Sequence, residues 1–236
     1  MERLDKLLCS QGTLSRREAG RLIRSGRVTV DGNVCVVPDH KVDPNRAEIT
    51  VEGKLLRYRE HLYLMLNKPS GILCVSRDPK AKTVVDLVPN ELKRDGLFPA
   101  GRLDKDTIGL VLLTDDGDLA HRVLSPKKEI YKQYLATVDG PLGRCETEAF
   151  AAGVTLEDGT VCRPAVMHIV EGSNDRQALV EICEGRFHQI KRMFKSVGRT
   201  VVALERRRIG GLWLDPSLAL GECRELTEEE KKSIFE

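Results

Sequence analysis

Apolar positions along this chain change period several times, and the changes mark out its elements. In "RLDKLLCSQG", Leu4, Leu7 and Leu8 recur at i, i+3 and i+4, which predicts a short amphipathic helix ending near Gly12. "SRREAGRLIRSG" predicts a second helix. Ser15 and Glu18 stand at capping-box spacing, Ala19, Leu22 and Ile23 share one side, and Gly26 supplies the stop. Arg17, Arg21 and Arg24 gather on the opposite side. "RVTVDGNVCV" then reads as strand, Asp-Gly turn and strand, and "AEITVEGK" adds one more short strand. "RYREHLY", Arg57 to Tyr63, reads as a linker, which divides the chain into residues 1–57 and 58–236.

From Leu62 onward the pattern is strands with interspersed helices. "LYLMLNKPSGILCV" predicts a strand, a turn over Asn67–Gly71 and a second strand. "GLVLLT" is a continuous apolar strand, and "DGDLAHRVLSP" is a short helix closed by Pro126. In "IYKQYLATV" the alternation puts Tyr134, Ala136 and Val138 on one face and Tyr131, Gln133 and Leu135 on the other. "RQALVEIC" predicts another strand. "RFHQIKRMFKSVG" predicts a helix ended by Gly198, with Ile190, Phe194 and Val197 inward and His188, Lys191, Arg192 and Lys195 as a cationic stripe. The expected fold class is α+β: a small N-terminal module and a larger domain built on a mixed, mostly antiparallel sheet.

Composition narrows the class only a little. With 41% hydrophobic and 31% charged residues the 236-residue chain is an ordinary globular protein. Its apolar runs fall well short of the roughly 20 residues that span a bilayer. "MERLDKLLCS" lacks the features of a signal peptide. Seven scattered cysteines, without a C-x-x-C pair or a zinc-ligand spacing, fit free thiols in a reducing cytoplasm and no metal site. Net charge is +2, but its distribution is uneven: residues 1–57 hold 11 Lys/Arg against 8 Asp/Glu. Five of those cations fall between Arg16 and Arg27, a footprint for a polyanion.

One loop stands out chemically. "GRLDKDTIGL", Gly101 to Leu110, brings Arg102, Asp104, Lys105 and Asp106 to the point where the chain enters a buried strand. It resembles the G-R-L-D-x-x-T-x-G-L signature of the pseudouridine synthases. "NKPSG" (Asn67–Gly71), "KQY" (Lys132–Tyr134) and "GRFHQIKRM" (Gly185–Met193) resemble three further elements of that family, in its order. "SRREAGRLIRSGRVTVDG" resembles the small RNA-binding module named after ribosomal protein S-four, which docks on folded RNA through phosphates and shape. "FAAGVTLEDGTVCRPA" and the C-terminal "RRRIGGLWLDPSLALGECRELTEEE" are most similar to the branch that modifies 16S ribosomal RNA, at uridine 516 by that resemblance.

The resemblance implies an isomerase that moves uracil from an N1 to a C5 linkage on the ribose, with no cofactor because no atoms are gained or lost. It assigns the reacting carboxylate to Asp104, as nucleophile or as a base on the ribose; the sequence leaves both routes open. Lys191 is the matching cation, Tyr134 the ring that packs on the base, Ile190 the apolar floor, and Arg102 the residue steering the flipped-out nucleotide. Lys68, Arg17, Arg21 and Arg24 complete the expected RNA contacts. Asp106 reads as a hydrogen-bonded neighbour in the turn. Arg206–Arg208 read equally as edge-strand charges or phosphate contacts, and His121 and His168 as structural. The expected partner is ribosomal RNA in an assembling small subunit, met by a monomer with no membrane contact. A synthase acting on 23S RNA shares every motif, and a non-catalytic RNA-binding assembly factor is the rival from another class. A glycosidase using Asp104 and Asp106 is disfavoured, since carboxylates at i, i+2 do not flank a sugar from opposite sides.

Overall fold

A computed structural model describes residues 1–12 and 14–236. It divides into two compact units, one of Met1–Leu62 with Val88–Leu97 and one of Tyr63–Leu87 with Phe98–Glu236. The first unit includes residues 88–97, whose mixed charges and single proline carry no periodic signal.

The first unit opens with β1 (Glu2–Arg3), α1 (Leu4–Ser10) and α2 (Arg16–Arg24), followed by β2 (Val28–Val30), β3 (Asn33–Val34), β4 (Lys41–Val42), β5 (Ile49–Val51) and β6 (Lys54–Leu55). β1 pairs with β4, and the other four strands form an antiparallel sheet in the order β3-β2-β5-β6. The helices form where the periodicity places them because their apolar positions have a shared core: Leu4, Leu7, Leu8, Ala19, Ile23, Val28, Val42 and Ile49 are all buried. The start of α2 is fixed by a complete capping box, with Ser15 N–H donating to Glu18 at 2.8 Å and Glu18 N–H to Ser15 Oγ at 3.3 Å. Arg17, Arg21 and Arg24 are exposed and form no ion pair with another described residue.

The second unit holds β7 (Tyr63–Lys68), β8 (Phe98–Pro99), β9 (Ile108–Thr114), α3 (Gly117–Leu124), β10 (Lys132–Val138), α4 (Arg144–Ala152), β11 (Val166–Ile169), β12 (Gln177–Ile182), α5 (Gln189–Ser196), β13 (Val201–Ile209), β14 (Leu212–Trp213), β15 (Cys223–Glu225) and α6 (Glu228–Ser233). Its sheet runs β11-β12-β10-β13-β9-β7-β15, with β14 on β13 and β8 on β9. Every pairing is antiparallel except β13 with β9. The α+β class with a mixed, mostly antiparallel sheet is as the sequence implies. β9 lies between β7 and β13, which is why it is continuously apolar. One core packs β10–β12 against Phe150 of α4 and Ile190, Met193 and Phe194 of α5; a second packs β7 and β9 against α3 and Ile234 near the C-terminus.

Two elements differ from the sequence expectation. "GILCV" forms no strand and makes only an isolated parallel bridge between Leu73 and Thr83. Both edges of β7 are already taken, by β9 and β15, so the turned-back segment has no ladder to join and Leu73, Cys74 and Val75 line a cleft instead. α5 begins at Gln189, not in the preceding residues, because His188 adopts the left-handed conformation at φ +48°.

Candidate active site

The loop between β8 and β9 carries Asp104, and its shape is set from beneath. Lys68, the last residue of β7, is fully buried. Its ammonium donates to the carbonyls of Thr107 at 2.7 Å, Lys105 at 3.0 Å and Pro69 at 3.1 Å. An ammonium has three protons to give, and these three carbonyls take them. Burial lowers the Lys68 pKa, which the nearby acidic groups oppose. Lys68 is therefore not on an RNA-accessible surface: the expected RNA contact is corrected to an internal anchor of the Asp104 loop. The far end of the loop is held by a close strand approach. Gly109 sits at φ +99°, and a Cβ there would lie 2.3 Å from the Arg206 carbonyl of the parallel neighbour β13.

Asp104 keeps a side chain 22% exposed, facing an ammonium and an imidazole. Lys191 Nζ on α5 lies 3.2 Å from Asp104 Oδ2, and His188 Nε2 lies 3.5 Å from Oδ1. The left-handed turn at His188 delivers that imidazole. Lys191 also reaches Asp106 at 2.5 Å, so Asp106 is more than a turn neighbour: it shares the ammonium with Asp104. Burial alone would lower the Lys191 pKa, but the hydrogen bonds that its ammonium donates to Asp106 and Asp104 outweigh it and hold the ammonium charged. The same hydrogen bond lowers the pKa of Asp106. The rest of the α5 stripe is paired as well, Arg192 with Asp158 and Lys195 with Glu157, which ties the helix to the 157–158 turn.

Asp104 opens into a cleft of about 670 Å³ whose lining includes Tyr134, Ile190, Lys132 and Arg206. Tyr134 packs against the α5 core and Ile190 is buried beside it, so the strand alternation and the helix period both place their residues as expected. Arg102 is exposed at the cleft. The structure thus brings together Asp104, Tyr134, Lys191, Ile190 and Arg102, and leaves Lys68 beneath the loop. Arg17, Arg21 and Arg24 belong to the other unit.

Three cleft residues were not assigned from sequence. Phe187 is 72% exposed and stacks on His188, with ring centroids 3.8 Å apart. Lys132 shares the Tyr134 strand face, a placement already implicit in the i, i+2 spacing of "KQY". Arg206 is neither an edge charge nor a surface contact: it is 3% exposed, on a strand paired on both sides. The register of β10 and β13 shifts by one residue here, so Tyr134 faces Arg206 while Gln133 faces Arg208. The alternation Leu204, Arg206 pointed inward, but three successive arginines hid which of them is buried.

Residues 62–196 match the family model of RNA pseudouridylate synthases, and residues 2–46 match the S4 domain. The chain is 46% identical over 229 residues to an RNA pseudouridine synthase of Bacillus subtilis (strain 168), covering 97% of this chain and 96% of that one. The chain belongs to the RNA pseudouridylate synthase family. This synthase is also 44% identical over 234 residues to ribosomal small subunit pseudouridine synthase A of Escherichia coli (strain K12), covering 98% of this chain and 99% of the other. A crystal structure of a pseudouridylate synthase superposes with a TM-score of 0.69 at 38% identity, covering 99% of this chain and all of that one. Among the described residues no helix is long and apolar enough to cross a membrane, and no cluster of His, Cys, Asp and Glu is placed to hold a metal ion.

Proposed function

We propose that this synthase isomerises a single uridine of small-subunit ribosomal RNA, uridine 516 by the resemblance of its sequence, with Asp104 as the reacting carboxylate. The observation that carries the reading is the partly exposed Asp104 at a cleft, held between Lys191 at 3.2 Å and His188 at 3.5 Å. Both routes to breaking the C1′–N1 bond, attack at C1′ or proton removal from the ribose, need a carboxylate facing the ribose, and Asp104 is the carboxylate that the Lys191 ammonium holds at the cleft. Tyr134 and Ile190 receive the flipped-out base between a ring and an apolar wall. Arg102, exposed at the cleft, meets the flanking backbone, and Phe187 offers an exposed face on which a neighbouring base stacks. Residues 1–57 act as the RNA-binding module, with Arg17, Arg21 and Arg24 on phosphates, and residues 58–236 as the catalytic domain. The working setting is a cytoplasmic monomer on an assembling small subunit, without a cofactor.

Small-subunit RNA is favoured over large-subunit RNA by the full-length likeness to the small-subunit synthase of Escherichia coli. The deciding experiment is tritium release from 5-tritiated uridine in 16S and 23S transcripts. Release from 16S alone supports the assignment; release from 23S alone moves the enzyme to the other subunit; release from neither, with or without ribosomal proteins, overturns the reading.

A further inference from the structure

Arg206 is a buried cation with no acid paired to it among the described residues. Its Nε donates to the Leu110 carbonyl at 2.8 Å, while its Nη2 is buried and has no partner among the described residues. Its guanidinium carbon lies 6.0 Å from the centroid of the Tyr134 ring. The Lys132 ammonium also lines the cleft and forms no ion pair or hydrogen bond with a described residue. Two neighbouring cations repel each other, and an unpaired buried charge is strongly unfavourable. The acids nearest in the cleft are engaged elsewhere: Asp104 faces Lys191 and His188, and Glu184 accepts from Gln189 and Arg186. The compensating negative charge must come from what enters the cleft.

We propose that Arg206 and Lys132 form a subsite for a carbonyl oxygen of the target uracil and stabilise the negative charge that the base gains when its bond to C1′ breaks. This rests on the isomerase reading above. When C1′–N1 cleaves heterolytically, the electron pair goes to N1 and spreads onto the ring carbonyl oxygens. After the base turns, C5 bonds to C1′, C5 gives up a proton and N1 gains one, so the reaction balances without a co-reactant. Donors fixed where charge develops are worth most in a dry site. A phosphate does not suit this position: it is a bulky group on a solvated backbone, whereas Arg206 is 3% exposed and opposite Tyr134. The exposed Arg102 suits a phosphate better.

The test compares a transcript that the wild type modifies with the same RNA carrying 5-fluorouridine, whose fluorine stabilises the departing base anion by itself. Cleavage of the N1 linkage is followed in single turnover by digestion and chromatography. Lys132→Met is expected to slow cleavage about 100-fold on the uridine RNA and no more than about 10-fold on the fluorinated RNA, with RNA affinity within about twofold of wild type. Arg206→Gln is expected to behave the same way. Because Arg206 also holds Leu110, circular dichroism checks that this variant folds, and Lys132→Met decides the matter if it does not. Equal losses on both RNAs overturn the proposal in favour of a structural role, and weaker binding with unchanged cleavage overturns it in favour of a phosphate contact. A wild type inactive on both RNAs overturns the isomerase reading, and this inference with it.

Discussion

Replacing Lys68 with methionine separates the anchor seen here from the RNA contact that the motif suggests. The Thr107 carbonyl would be left buried without its 2.7 Å donor, a loss of about 1–3 kcal/mol. The Lys105 carbonyl keeps the Gly71 N–H at 2.8 Å, and the Pro69 carbonyl is only partly buried, so water replaces the ammonium there. Methionine fills most of the volume and removes the burial cost of a charge, which offsets part of the loss. The net expectation is a destabilisation of about 1–2 kcal/mol. For a chain of this size that is about 2–8 °C in melting temperature. Turnover should fall with it, since the loop carrying Asp104 loses its support, while RNA affinity at a temperature where both proteins are folded should hardly change. Thermal melts of the full chain and filter binding measure the two quantities. A variant that melts with the wild type yet binds RNA markedly less tightly would refute the anchor and restore the RNA-binding role.

Asp106→Asn should reduce turnover less than about fivefold, because Asp106 is 71% exposed and its pair with Lys191 is largely screened; a loss as large as that of Lys191→Met would make Asp106 part of the reacting group. Lys132 has its pKa lowered to about 8, by burial first and by Arg206 second, with Cys183 opposing. The unfolded chain, near 10.5, then binds more protons than the fold between about pH 8 and 10.5. Wild-type stability relative to Lys132→Met should therefore rise with pH across that window and be flat below it, as read from urea midpoints; a flat difference throughout contradicts the burial. Neutralising Arg17, Arg21 and Arg24 together should flatten the dependence of log affinity on log salt by about one for each phosphate no longer neutralised, and an unchanged slope would leave that helix face merely solvated.

Much of this was legible because local pattern and tertiary demand agree. α2 carries its own capping box, its apolar stripe and its stop glycine, so nothing distant was needed to place it. Tyr134 and Ile190 fell on the correct faces because strand and helix periods survive packing. What stayed hidden depends on partners far along the chain. Lys68 reads as a surface cation beside a turn, and only the loop 37 to 39 residues later, folding over it, makes it internal. "GILCV" reads as a strand, but β15, more than 140 residues on, occupies the edge it would have used. Arg206 is set apart from Arg207 and Arg208 by a one-residue register shift that no periodicity records. His188 reads as part of a helical stripe, yet its left-handed backbone takes it out of the helix and towards Asp104.

Asp104 is proposed to carry the chemistry and little of the binding. Single-turnover formation of pseudouridine in the 16S transcript, with wild type and Asp104→Asn side by side and RNA affinity measured on the same preparations, tests it most directly. The expected result is no detectable pseudouridine from Asp104→Asn, with affinity within about twofold of wild type. Turnover by the asparagine variant would remove Asp104 as the reacting group and place that group elsewhere in the cleft.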